Sequence, residues 1–331
     1  MKKGLITMFI ILTSFLLTGC GKYSVEDLVK DFSKKVNDSN SYKLDGILEI
    51  VNNDDTYSYD VNVSYKKENN FKVSLKNKIN NYEQIILRNN DGIYVLTPSL
   101  NKSFKFQSEW PYNSSQSYLL QTILKDMENN EELNFEQTND GYIVETKANY
   151  SSNKELVNQK IYFDKEKNVY KIEVFDQNNV LKMKMTISNI EYNSTFDDNY
   201  FDLNKNMDSD TNQSTTGKTI DEIIYPMYMP QNTYLSSEDK VSKENGERII
   251  MTFAGDNSFI LIQETANVSD VTNLIPVNGE PYLLTSAVAS VTENSIEWVS
   301  NGIEYYLASD DMSKEDLISV AKSLSPMAVT K

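Results

Sequence analysis

The sequence predicts an α+β protein in which a long antiparallel β-meander, covered by helices, is followed by a smaller α+β unit. Three observations carry this expectation. Apolar residues repeat with period two through most of residues 41–192. Two short stretches inside and before that region repeat with helical spacing instead. A polar interval at 204–219 then separates a second, shorter set of both patterns.

The first helix is expected over 24–37. Ser24 and Asp27 fit a capping box, and Val25, Leu28, Val29, Phe32 and Val36 fall on one face. From Ser41 the pattern changes. Tyr42, Leu44, Leu48 and Ile50 alternate with Lys43, Asp45 and Glu49, and Tyr57, Tyr59, Val61, Val63 and Tyr65 alternate with Ser58, Asp60, Asn62 and Ser64. Phe71, Val73 and Leu75 continue the series, and an Asn89-Asn90-Asp91-Gly92 turn joins Ile85–Leu87 to Ile93–Leu96. Alternating runs joined by such turns make an antiparallel meander with one buried face.

Trp110-Pro111-Tyr112 breaks the meander, and a helix is expected from Ser114 to Met127 with Tyr118, Leu119, Thr122, Ile123 and Met127 on one side. Strands resume near Leu133, Tyr142, Ile161, Val169 and Leu181, and Phe196–Leu203 closes the segment. Residues 204–219 have almost nothing to bury and read as a linker. The second unit, 220–331, should hold strands at Arg248–Phe253, Phe259–Gln263, Ile296–Val299 and Tyr305–Ala308. A final helix should start at Ser313, capped with Asp316 and burying Leu317, Ile318, Val320, Ala321 and Leu324.

The N-terminus reads as a targeting segment. Met1-Lys2-Lys3 precedes an apolar stretch from Leu5 to Leu17, too short to span a bilayer comfortably, which takes about 20 residues. Leu17-Thr18-Gly19-Cys20 follows, and Cys20 is the one cysteine of 331 residues. The tetrad resembles the lipobox of bacterial lipoproteins. That resemblance implies that residues 1–19 are removed as a signal peptide and that Cys20 is acylated. Residues 20–23 would then be a short tether on the extracytoplasmic face of the cell membrane, where more than one acyl chain gives stable anchoring.

Composition excludes several functions. With 48 acidic against 32 basic residues the formal charge is −16, so neither nucleic acid nor an anionic surface is an expected partner. There is no histidine, and with Cys20 committed the common nucleophile–base pairs and zinc sites cannot be built. No glycine-rich phosphate loop or calcium-loop spacing is present, so no cofactor or metal is expected. Carboxylate pairs could still serve glycoside hydrolysis. However, Asp54-Asp55, Asp197-Asp198 and Asp310-Asp311 read as solvated turns, and the chain reads as a non-enzyme.

Residues 24–203 resemble the LolA/LolB-like lipoprotein superfamily. The resemblance rests on the order of elements, on Asp91-Gly92-Ile93-Tyr94-Val95-Leu96-Thr97-Pro98, and on Phe163-Asp164 followed by Lys171-Ile172-Glu173-Val174. It implies an unclosed antiparallel β-barrel with capping helices around an apolar cavity. The two-unit arrangement, with Trp298, Gly302 and Tyr305 before a last helix, resembles the YdcC-type sporulation lipoproteins, and its plan is similar to that of RseB, which binds an anti-sigma factor. These resemblances imply binding of an extracytoplasmic protein or of a lipid or acyl ligand, in sporulation, germination or envelope biogenesis. An RseB-like regulator of a membrane signalling protein is the alternative, and a carboxylate-dependent cell-wall enzyme a remoter one.

The candidate ligand-binding residues are Tyr42, Leu44, Leu48, Val61, Val63, Phe71, Val73, Met183 and Met185. They either line a cavity or fill a core beneath the two helices; the methionines would suit an adaptable surface. Trp110, Pro111 and Tyr112 are candidate lid residues or ordinary packing. Tyr225-Pro226-Met227-Tyr228-Met229-Pro230 is either an extended edge segment or a docking strip.

Overall fold

The computed structural model describes residues 23–52, 55–151, 153–208, 220, 222–244, 246–266, 273–277 and 279–324. Cys20 and the signal segment lie outside them. Helix α1 (Val25–Asp38) leads into β1 (Ser41–Asn52), β2 (Asp55–Lys66), β3 (Asn70–Asn77), β4 (Glu83–Asn89), β5 (Gly92–Thr97) and β6 (Lys102–Phe106). After α2 (Leu120–Glu128) come β7 (Asn134–Gln137), β8 (Gly141–Lys147), β9 (Leu156–Asp164), β10 (Val169–Asp176) and β11 (Leu181–Tyr192), and then the short α3 (Leu203–Met207). The rest comprises β12 (Thr233–Lys243), β13 (Gly246–Gly255), β14 (Phe259–Thr265), β15 (Asn273–Val277), β16 (Glu280–Leu283), β17 (Val288–Val291), β18 (Ser295–Ser300), β19 (Ile303–Ala308) and α4 (Lys314–Ser323).

Among the described residues the strands form two sheets. The first has twelve strands in the order β15-β6-β5-β4-β3-β2-β1-β11-β10-β9-β8-β7, and its two edges do not meet, so the barrel is unclosed. Its inner face is the apolar set of the alternation. Leu44, Val63 and Val73 lie side by side across β1, β2 and β3 with Phe163, Ile172 and Met185 beyond, and α1 and α2 cover them. Helix α1 forms where Ser24 and Asp27 exchange the two capping hydrogen bonds (3.3 and 3.1 Å), and it drops Leu28, Phe32 and Val36 into the sheet. The Phe32 ring meets Phe163 edge-on at 5.2 Å.

The register of β1 slips between Asp45 and Gly46 where it meets β11. A Cβ at Gly46 would lie 2.4 Å from the Thr186 carbonyl oxygen, so only glycine lets the strands approach at that bulge. The outer face of β4 and β5 is covered as well. Ile85, Leu87, Tyr94 and Leu96 pack against Phe196, Tyr200, Phe201 and Met207. The start of the expected linker is thus structured: α3 occupies Leu203–Met207, with Asn206 and Met207 buried, while 209–219 lie outside the described residues.

The second helix is shorter than expected. Residues 114–119 are not helical: the Ser115 backbone amide is committed to the Asn149 carbonyl (2.8 Å) and its hydroxyl accepts the Asn149 amide (2.8 Å). Helical hydrogen bonding therefore starts only at Leu120.

The second sheet runs β12-β13-β14-β19-β18-β17-β16. Asn301 and Gly302, both at positive φ, make the tight turn between β18 and β19. Trp298 and Tyr305 thereby face each other in register and stack at 4.8 Å. Helix α4 is capped by Ser313, whose hydroxyl accepts the Asp316 amide at 3.1 Å, and buries Leu317, Ile318, Val320 and Ala321. The two units are not independent bodies. Strand β15 pairs in parallel with β6 and extends the first sheet, and Val288 belongs to the first core.

Candidate binding cleft

Eight of the nine candidate cavity residues, Tyr42, Leu44, Leu48, Val61, Val63, Phe71, Val73 and Met185, are buried within one continuous core. Met183, on the same strand as Met185, is half-buried and borders the two spaces described below. Trp110 is buried with its ring against Phe71, and Pro111 is buried beside it. Tyr112 is half-exposed, its hydroxyl donating to Asn69 Oδ1 at 2.6 Å and its carbonyl accepting Lys125 Nζ at 2.6 Å.

The inner face is closed from above by the second unit. The Tyr59 hydroxyl donates to the Thr285 carbonyl (2.7 Å), and Gln84 Oε1 accepts the Val288 amide (2.7 Å). Asn153 Nδ2 donates to the Tyr282 hydroxyl (3.0 Å), and Asn113 Nδ2 to Glu280 (2.6 Å). At the β6 edge Lys102, only 7% exposed, pairs with Glu304 at 2.6 Å and lies 3.8 Å from Glu297. Burial raises the Glu297 carboxyl above its ordinary value, and the neighbouring ammonium pulls the other way.

Between Trp110, Tyr118, Tyr150, Met183 and Tyr282 a space of about 50 Å³ remains. That is far below the roughly 300 Å³ at which small-molecule pockets begin. Under α2, Asp126 accepts Gln159 Nε2 at 2.7 Å, and burial pushes its carboxyl up to about 6 against the opposing hydrogen bonds from Ser115 and Gln159.

A larger space lies at the seam of the two units, at the ends of β1, β9 and β11. It measures about 400 Å³, within the range of binding sites. Its floor is apolar, from Ile50, Leu156, Met183, Leu283 and Ile318, and its walls carry Tyr228, Tyr282, Lys182, Lys322, Glu155 and Asp316. The Tyr228 hydroxyl donates to Asp316 Oδ1 (3.3 Å), and Asn52 Nδ2 donates to the Lys322 carbonyl (3.3 Å). Such a cleft offers an apolar bed with both signs of charge on its rim, which suits a polypeptide segment.

Most of these residues carry no local signal in the sequence, because the seam joins positions far apart in the chain. Two did: Met183 is one of the candidate ligand-binding residues, and Tyr228 belongs to the Tyr225–Pro230 strip, of which Met227 is 85% exposed. No three acidic side chains gather within metal-binding reach among the described residues. Asp198, Asp310 and Asp311 lie in turns or bends and Asp197 in irregular chain beside one, whereas Asp55, expected in a turn, opens β2; Asp54 lies outside the described residues.

A family model described as "Sporulation protein YdcC-like" matches residues 1–201. Sporulation protein YdcC of Bacillus subtilis (strain 168) is 37% identical over 332 residues, covering 98% of each chain. Among solved structures, a chain of the Pseudomonas aeruginosa MucA/MucB complex superposes with a TM-score of 0.32 at 8% identity, over 92% of this chain and 100% of that one. The Clostridioides difficile CwlD amidase in complex with the GerS lipoprotein gives 0.24 at 21% identity, over 53% and 99%. Superpositions this loose bear no weight, whereas the sequence match spans both units: the chain belongs to the sporulation protein YdcC-like family.

Proposed function

We propose that this chain is a non-enzymatic, extracytoplasmic lipoprotein of sporulation, held to the membrane by acylated Cys20, that binds a segment of a protein partner in the seam cleft. One observation carries the reading. The inner face of the barrel is occupied by its own side chains and by Leu283 and Val288, while about 400 Å³ stays open at the seam. An acyl ligand would need interior room, and about 50 Å³ holds no long chain. Residues 24–203 and 220–331 would then act as one body, with the second unit supplying half of the site. The mixed charge on the rim favours a peptide over a uniformly charged polymer.

A photo-crosslinking residue at the exposed rim position Glu155, introduced in a sporulating host, should give a discrete protein adduct, and one at Tyr306 on the far sheet should give none. Equal labelling at both sites would remove the cleft from consideration. A native mass spectrum of residues 22–331 showing an extractable mass of acyl-chain size would return the barrel interior to the lead.

A further inference from the structure

Three half-buried aromatic rings line the barrel rim where the described chain begins. Tyr23 lies 5.0 Å from Tyr142, and Tyr142 stacks on Phe135 at 5.9 Å with planes 15° apart. Phe135 sits on β7, the free edge of the first sheet, and Lys167, from the β9–β10 turn, holds its ammonium 5.8 Å over the Tyr23 ring. Only two residues stand between Cys20 and Tyr23, so three steps of chain reach at most about 11 Å.

We propose that this rim, Tyr23, Phe135 and Tyr142, rests in the headgroup layer of the membrane and fixes the orientation of the molecule on it. The inference rests on acylation of Cys20, proposed above. Aromatic side chains with an apolar body settle at the interface between headgroups and acyl chains. The tether leaves no other face of the protein so near the bilayer. Contact is through the rings rather than through net charge: Asp27, Asp31, Glu136 and Asp140 share this end with Lys165 and Lys167, so no basic patch forms.

The register sets what the orientation achieves. Tyr142 pairs with Phe163 at one end of β9, and Leu156, at the other end, lies in the seam cleft. Seven residue steps of strand separate Phe163 from Leu156, about 23 Å. The cleft is therefore held off the membrane, turned toward whatever stands above it.

The test uses full-length acylated protein in phosphatidylethanolamine–phosphatidylglycerol vesicles whose acyl chains are brominated. Native Trp110 and Trp298 are buried and give the background. Phe135→Trp, and Gln137→Trp at an exposed position of the same strand, should each show quenching and a blue shift that persist at high salt. Tyr306→Trp in the second sheet should show neither. Flotation with the vesicles but no more quenching at Phe135 and Gln137 than at Tyr306 overturns the orientation while leaving the anchor standing. Failure of the protein to float at all overturns the anchor, and the orientation with it.

Discussion

The inner face of the first sheet and the seam above it are built on opposite terms. Within the barrel, Leu44, Val63, Val73, Phe163 and Met185 belong to one buried apolar cluster. At the seam, Tyr59, Gln84, Lys102, Asn113 and Asn153 each reach across to a partner in the second unit. Apolar packing is strong but non-directional. Hydrogen bonds with fixed donors and acceptors contribute less each, yet they admit one docking geometry. The barrel thus supplies stability, and the seam supplies the shape of the cleft.

The sharpest way to break this division is to hollow the barrel. Phe71 is fully buried and touches Tyr65, Trp110 and Tyr112. Phe71→Ala should cost about 3–5 kcal/mol in denaturant unfolding, larger than any single change at the seam. Next comes Lys102→Ala, which strands Glu304 and the half-buried Glu297. We expect a loss of roughly 2–3 kcal/mol, most of it recovered in the triple change Lys102→Met, Glu297→Gln, Glu304→Gln. A result at Lys102 that exceeded that at Phe71 would reverse the comparison.

A pH titration sharpens it further. The folded-state carboxyl of Asp126 titrates near 6, above its value of roughly 3.9 in an unfolded chain, so the folded state holds the proton longer. Its favourable contribution is complete below about pH 4 and is lost as pH rises through about 6. Asp126→Asn should flatten that slope and gain roughly 2 kcal/mol at pH 7, read from melts across the window. An unchanged slope would mean that water reaches the carboxylate freely. The smallest effect belongs to the rim: Glu155→Ala, at an exposed position, should move stability by less than about 0.5 kcal/mol in the same melts.

Most of the barrel was legible because its physics is local. The Tyr57–Tyr65 alternation and the Ser24 and Ser313 caps each declare themselves within a few residues, and the structure places all of them as expected. Strand β12 did not, because nearly all its residues are exposed on both faces, leaving no period to read. Strands β15 and β16 are short and carry Pro276 and Pro281; β15 owes its place to distant β6, and β16 pairs with the next strand, β17. The loss of helix at 114–119 follows from Asn149, thirty-four residues downstream of Ser115. Of the cleft, only the Tyr225–Pro230 strip and Met183 drew notice in the sequence. The remaining walls come together across the seam, and no window of sequence contains both sides.

The parallel pairing of β15 with β6 has a consequence for the order of assembly. During synthesis β6 emerges long before Asn273–Val277, so its edge stays bare while more than a hundred further residues are made. An unpaired edge beside an uncovered apolar face is a template for wrong partners. The chain's last third thus acts as a late-arriving closure, and a truncation after Tyr192 but before Asn273 would leave a nearly complete barrel that is prone to aggregate rather than a smaller working protein.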